Sequence, residues 1–177
     1  MSKPRLATVW LESCSGCHMS LLDMDLRLLE VAAQVEVVYS PLVDAKVYPE
    51  AVDVALVEGA VSNVEDLARL RTVRAHTKVL VALGDCAVTA NVPAMRNPFP
   101  VEAVLRRAFV ENAQVSPQLP REVVPALLPQ ARPLHEFVTV DVFVPGCPPS
   151  AETIYVTLTE LLAGRRPDLL ELTRFGK

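Results

Sequence analysis

No apolar run in this sequence approaches the roughly 20 residues that a membrane-spanning helix needs. Val54–Val57 and Val79–Leu83 are among the longest, and no span is expected. Concentrated positive charge is also missing. The 17 Lys and Arg are mixed with 21 Asp and Glu for a net charge of −4, so no basic stripe is left to neutralise a phosphate backbone. Nucleic acid is therefore not an expected partner. Met1–Trp10 holds neither a basic-then-apolar leader nor a twin-arginine signal, and four cysteines are too few to scaffold 177 residues with disulfides. Both features point to the cytoplasm, where thiols stay reduced. Internal repeats, low-complexity tracts and a second domain are absent too, so residues 1–177 read as one domain. What is present is enough apolar material, 51% of residues, for a proper core. A mean hydropathy of +0.29 further suggests apolar surface buried against another polypeptide.

Five apolar, β-branched runs recur: Leu6–Leu11, Val35–Leu42, Val54–Glu58, Lys78–Leu83 and Phe137–Val144. Several are continuous rather than alternating, the pattern of strands covered on both faces. Helical spacing appears between them. Leu21, Leu22, Leu26, Leu28, Leu29 and Ala32 follow Ser20, and Val64, Leu67, Leu70, Val73 and Ala75 follow Ser62-Asn63 with acids in the first turn. Further helices are predicted over Pro100–Val110 and from Ser150 to near Gly164. Strand and helix in alternation predict an α/β fold: a doubly wound parallel sheet with flavodoxin-like order. Gln114–Pro133 breaks the rhythm with five prolines and reads as an excursion, apolar enough in places to hold a short packed helix.

On that scheme Cys14 and Cys17 follow the first strand, Cys86 the fourth and Cys147 the fifth. The C-terminal ends of parallel strands lie along one edge, where ligands bind, so residues more than a hundred positions apart can meet there. Soft thiolates favour zinc or an iron-sulfur cluster. The Cys14-Ser15-Gly16-Cys17 loop leads into a helix start whose free N–H groups suit anionic sulfur, and Gly84-Asp85-Cys86 and Pro145-Gly146-Cys147-Pro148-Pro149 repeat a glycine-then-cysteine pattern. A redox pair would leave Cys86 and Cys147 unexplained. A closed zinc site more often joins two Cys-x-x-Cys hairpins than one pair and two remote singles. An iron-sulfur cluster is the leading reading, with zinc and inert core thiols as its rivals.

In Trp10-Leu11-Glu12-Ser13-Cys14-Ser15-Gly16-Cys17, Gly84-Asp85-Cys86-Ala87 and Pro145-Gly146-Cys147-Pro148-Pro149 the chain resembles the small subunit of nickel-iron hydrogenases, in order and spacing. The resemblance implies one proximal 4Fe-4S cluster, held by Cys14, Cys17, Cys86 and Cys147, and a large-subunit partner that carries the nickel-iron site. The related iron-sulfur subunit of NADH:quinone oxidoreductase, the alternative reading, usually has adjacent cysteines where this chain has Cys14-Ser15-Gly16-Cys17. No cysteine is left over for further clusters, and Ala87–Arg96 is similar to the short small subunits of soluble, cytoplasmic, NAD(P)-linked enzymes. The implied electron acceptor is then a diaphorase subunit that reduces NAD(P).

By the same resemblance Glu12 is a candidate proton relay; its plainer role is an acid at a strand end. His18 reads as a polar residue at a helix start, or as a hydrogen-bond donor to the cluster. His76 reads as a helix-closing residue, while His135, Asp85 and Asp141 have no assignable partner. Met19 and Met24 read as fillers of core or interface gaps. A rival from another class is FMN, its phosphate cradled by the Glu12–Ser20 loop.

Overall fold

In a computed structural model of the protein, which describes residues 2–173, the five apolar runs lie side by side in one parallel sheet. In chain order the elements are β1 (Arg5–Trp10), α1 (Gly16–Leu22), α2 (Leu26–Gln34), β2 (Glu36–Tyr39), β3 (Val52–Glu58), β4 (Val61–Asn63), α3 (Val64–Ala75), β5 (Thr77–Leu83), α4 (Asp85–Thr89), α5 (Val101–Arg106), β6 (Leu127–Arg132), β7 (Val142–Val144) and α6 (Ala151–Leu162). The sheet order is β2-β1-β3-β5-β7, every pairing parallel. This is the doubly wound, flavodoxin-like order that the alternation predicts. The chain starts in the middle of the sheet, winds one way to β2 and then the other way to β7, which puts the switch point beside β1.

Continuous apolar strands are needed because both faces are covered. On β3 and β5, Val54, Leu56, Val81 and Leu83 pack under α1, α2 and α6. Their alternate neighbours Ala55, Val57, Leu80 and Ala82 pack on the α3 side with Leu70 and Val73. Adjacent side chains on a strand point to opposite faces, so a strand buried on both sides has no place for a polar alternate.

Three expectations need correction. The first helical run is two helices, because Asp25 adopts a φ of 51° and interrupts the chain between Leu22 and Leu26. Only Val142–Val144 of the last apolar run is strand; Leu134–Glu136 forms a 3-10 turn after Pro133, and Phe137, Val138 and Val140 pack on the α3-side core as loop. The excursion holds a strand in place of a packed helix: β6 pairs antiparallel with β4 in a separate two-stranded ribbon. Pro129 is tolerated there because a ribbon has a free edge that needs no donor. Side chains satisfy part of that edge. Asn97 Oδ1 accepts from Ala131 N and its Nδ2 donates to Ala131 O, both at 2.8 Å, while Arg96 donates to the carbonyls of Ser62 and Leu128 at 3.0 Å.

The α3 start follows the sequence closely. Asn63 caps it, Oδ1 accepting from Glu65 N and Asp66 N at 2.9 Å. His76 closes it, and Asp141 finds a partner after all, accepting from Arg74 and from the Leu80 N–H. Met24 fills the core, Met19 is exposed, and His135 packs edge-on against Phe143. No helix among the described residues is long and apolar enough to cross a membrane. Exposed apolar side chains gather on α1 and α2 as Met19, Leu22, Leu26 and Leu29, and after α4 as Val92, Met95 and Phe99.

Candidate metal centre

Each cysteine lies just beyond the C-terminal end of a sheet strand. Cys14 and Cys17 occupy the turn after β1 and the first turn of α1, Cys86 opens α4 directly after β5, and Cys147 follows β7. Cys17 and Cys86 are buried, whereas Cys14 and Cys147 are exposed. The thiols stand within electrostatic reach of one another. Burial pushes the Cys17 thiol far above its ordinary pKa, and Glu58, Cys86, Cys14 and Cys147 each push it further. Burial also raises Cys86, against a backbone N–H from Val92, with Cys147 and Cys14 adding to the rise. Thiols that oppose one another's ionisation, two of them buried, suit a cationic centre, which would take up the thiolate charge and favour the ionised form.

Among the described residues, no three His, Cys, Asp or Glu side chains come close enough to hold a single metal ion. Four soft sulfurs with hydrogen-bonding backbone about them have the donor chemistry of an iron-sulfur cluster, and the residues present fit that group.

Local packing holds the three ligand-bearing turns together. Gly84 has a φ of 83°, and a Cβ there would overlap the Cys17 sulfur. Gly146 has a φ of 142°, and a Cβ there would meet Pro149 N at 2.6 Å. Between these glycines the turns are stitched both ways: Gly84 N donates to Val144 O and Asp85 N to Gly146 O at 2.8 Å, and Gly146 N donates to Asp85 Oδ1 at 2.7 Å. Asp85 thus couples the Cys86 and Cys147 turns. The Ser20 hydroxyl donates to Pro149 O at 2.6 Å, which ties α1 to the Cys147 turn, and Asn91 Nδ2 lies 3.5 Å from Cys147 Sγ.

The start of α1 does not offer its N–H groups as expected. Cys17 N donates to Glu58 Oε1 at 3.4 Å and His18 N to Glu58 Oε2 at 3.0 Å, so a carboxylate from the end of β3 already occupies them. These two N–H groups are therefore engaged, which leaves less of the helix start for sulfur or for a flavin phosphate at this loop. His18 stands at the helix start as expected, but it is buried there. It is 2% exposed, its Nδ1 is hydrogen-bonded to Glu58, Trp10 packs edge-on against its ring, and Nε2 has no partner among the described residues. Burial pushes the Glu58 carboxyl up, but the His18 imidazole, the Ser13 hydroxyl and the His18 N–H outweigh it and hold the group below its usual range. Glu58, Asp85 and Asn91 were not singled out by the sequence as parts of this site. The one signal was Glu58 itself, an acid closing an otherwise apolar strand at the ligand edge.

Glu12 bridges to Ala60, two residues beyond Glu58, through paired backbone hydrogen bonds of 3.2 and 2.9 Å. Its Oε2 is buried and has no partner among the described residues. Burial raises its pKa, Arg96 pulls it down and Asp66 pushes it up. Ser62 Oγ and Arg96 Nε are likewise buried without partners among the described residues.

Comparison with known proteins shows the family and the fold. Residues 14–161 match the family described as NADH ubiquinone oxidoreductase, 20 Kd subunit. The chain is 39% identical over 172 residues to the NAD-reducing hydrogenase HoxS subunit delta of Cupriavidus necator, covering 94% of this chain and 82% of that one. It is 35% identical to a subunit of the F420-non-reducing hydrogenase vhu of Methanocaldococcus jannaschii, covering 93% of this chain but only 58% of that longer polypeptide. Its fold superposes on a chain from the crystal structure of an NAD+-reducing [NiFe]-hydrogenase in the H2-reduced state with a TM-score of 0.93 and 42% identity, over 98% of this chain and 99% of that one.

Proposed function

Because this chain belongs to the family of the 20 kDa subunit of NADH ubiquinone oxidoreductase, as a small subunit of the nickel-iron hydrogenase kind, we propose that it carries electrons from hydrogen oxidation on a partner large subunit to diaphorase subunits that reduce NAD(P), in the cytoplasm. The reading rests on one observation above all: the four cysteines follow the C-terminal ends of three strands along one edge of a parallel sheet. Relatives named as hydrogenase subunits support the partner assignment.

Cys14, Cys17, Cys86 and Cys147 would hold one 4Fe-4S cluster. When bound, the group supplies one-electron redox chemistry, within the roughly −700 to +450 mV that such clusters span. The protein's part is to place and shield it. Buried Cys17 and Cys86 keep water from the inner side, Cys14 and Cys147 lie on the exposed side, and Asp85 locks two of the three turns. Glu12 is the candidate proton relay, able to hold a proton on its buried Oε2. The Glu12→Gln variant should keep its iron yet slow hydrogen turnover; turnover equal to wild type would remove the relay.

A specific observation keeps a flavin as a second reading. A cavity of about 300 Å³ opens at the C-terminal ends of β1 and β2, lined by Trp10, Tyr39 and Ser40 with the cations Lys46 and Arg69. An anionic aromatic ligand would meet suitable chemistry there. One absorption spectrum with a metal assay separates the readings: brown with iron and sulfide for a cluster, yellow and extractable for FMN, colourless for zinc. The decisive test is EPR of the iron- and sulfide-loaded chain. Loss of the cluster signal in Cys86→Ser or Cys147→Ser is expected, and an unchanged signal would overturn the four-thiol site. Capture of the assembled complex with mass spectrometry identifies its partners.

A further inference from the structure

Glu58 is 0% exposed, and the donors that reach its carboxylate come from one short segment. Cys17 N and His18 N lie at 3.4 and 3.0 Å, the His18 imidazole bonds the same oxygen as His18 N, and the Ser13 hydroxyl helps to hold the carboxyl ionised. Ser13 and His18 flank the Cys14-Ser15-Gly16-Cys17 turn. A buried acid that served only the sheet would take donors from neighbouring strands; this one is spent on the segment that carries half of the thiols. Its charge also reaches Cys17 and Cys86.

We propose that Glu58 is a positioning residue of the metal centre: its carboxylate seats the Cys14–Cys17 turn on the end of β3 and keeps a fixed negative charge beside the four thiolates, which holds the centre's reduction potential down. The inference rests on the cluster assignment made above. Reduction adds negative charge, and a fixed anion nearby, poorly screened in the interior, opposes that addition. Backbone N–H groups that would otherwise stabilise the added charge are drawn to the carboxylate instead, which acts in the same direction.

The test is a potentiometric EPR titration of the assembled complex with wild type, Glu58→Gln and Glu58→Asp. Glu58→Gln keeps the side chain's shape but removes the charge and turns one acceptor into a donor facing other donors. It should shift the midpoint upward by about tenfold in the reduction equilibrium, about 59 mV for one electron. Glu58→Asp keeps the charge and should recover most of the wild-type midpoint. Equal midpoints in wild type and Glu58→Gln, or equal shifts in both variants, would overturn the proposal, since a purely space-filling role makes no distinction between charge and amide. Should Glu58→Gln fail to fold, the rate of iron release to a chelator from folded Glu58→Asp decides. Faster release than wild type is expected because the shorter side chain loosens the seat, and an unchanged rate overturns the proposal. A wild-type complex without an iron EPR signal would instead bring down the cluster assignment, and this inference with it.

Discussion

The Cys17 sulfur rests in the space that a side chain on Gly84 would fill. Gly84 ends the turn out of β5 with φ 83° and ψ 163°, a region that only glycine enters freely. Gly84→Ala should therefore act twice. The backbone strain costs about 1–3 kcal/mol, and the new Cβ pushes Cys17 away from the other thiols. Iron content measured alongside a urea midpoint checks this. Both should fall, whereas a variant with full iron and a lowered midpoint would show that the sulfur can move aside.

Asp85 links two turns that lie 61 positions apart in sequence, through Gly146 N at 2.7 Å. A hydrogen bond to a charged acceptor contributes about 1.5–3 kcal/mol. Asp85→Ala should lower stability by about that amount, and Asp85→Asn, which keeps an acceptor oxygen, by less. The effect on the metal centre should be selective. Because Cys147 is exposed and its turn leans on Asp85, iron loss to a chelator should accelerate in Asp85→Ala more than in a variant of equal stability loss made elsewhere, such as the α3 cap variant Asn63→Ala.

The sheet was legible because burial on both faces leaves a mark in one dimension: Val54–Val57 and Val79–Leu83 carry no polar alternate, and that alone implies helices on either side. The four cysteines were legible because strand ends are recognisable in sequence and a parallel sheet gathers them on one edge. Glu58, Asp85 and Asn91 were not, because their roles depend on where a side chain points across 40 or more positions. The β4–β6 ribbon escaped for a related reason. Leu127–Arg132 contains Pro129 and has a weak pattern of its own, and it becomes strand only because β4 supplies a partner and Asn97 and Arg96 satisfy its free groups.

Two carboxylates away from the cysteines give opposite pH signatures. Burial raises the Asp66 pKa despite hydrogen bonds from Ser62 and Asn63. The native state then holds the proton more tightly than the unfolded chain, so this contribution is complete below the unfolded value of about 3.9 and fades as pH rises through the folded value. Asp53 is held below its usual range, first by the Arg5 N–H and then by Lys78. Its contribution is present above the unfolded value and fades as pH falls through the folded one. Urea midpoints between pH 3 and pH 7 should show wild type gaining on Asp66→Asn as pH falls and losing ground to Asp53→Asn over the acid end. Parallel curves for the two variants would contradict both assignments.

Stripping the metal centre should expose an asymmetry that is already built into the fold. Cys14 and Cys147 are exposed, while Cys17 and Cys86 are buried and have thiol pKa values raised by that burial. The thiolate is the reactive species, and access limits alkylation further. After chelation under reducing conditions, iodoacetamide should therefore modify Cys14 and Cys147 first, with Cys17 and Cys86 following only as the chain unfolds in urea. Peptide mass spectrometry over a time course reads each site separately. Uniform labelling of all four in the folded protein would mean that the inner pair is held in place by the metal rather than by the sheet, and that the seat formed by Gly84 and Glu58 does not persist without it.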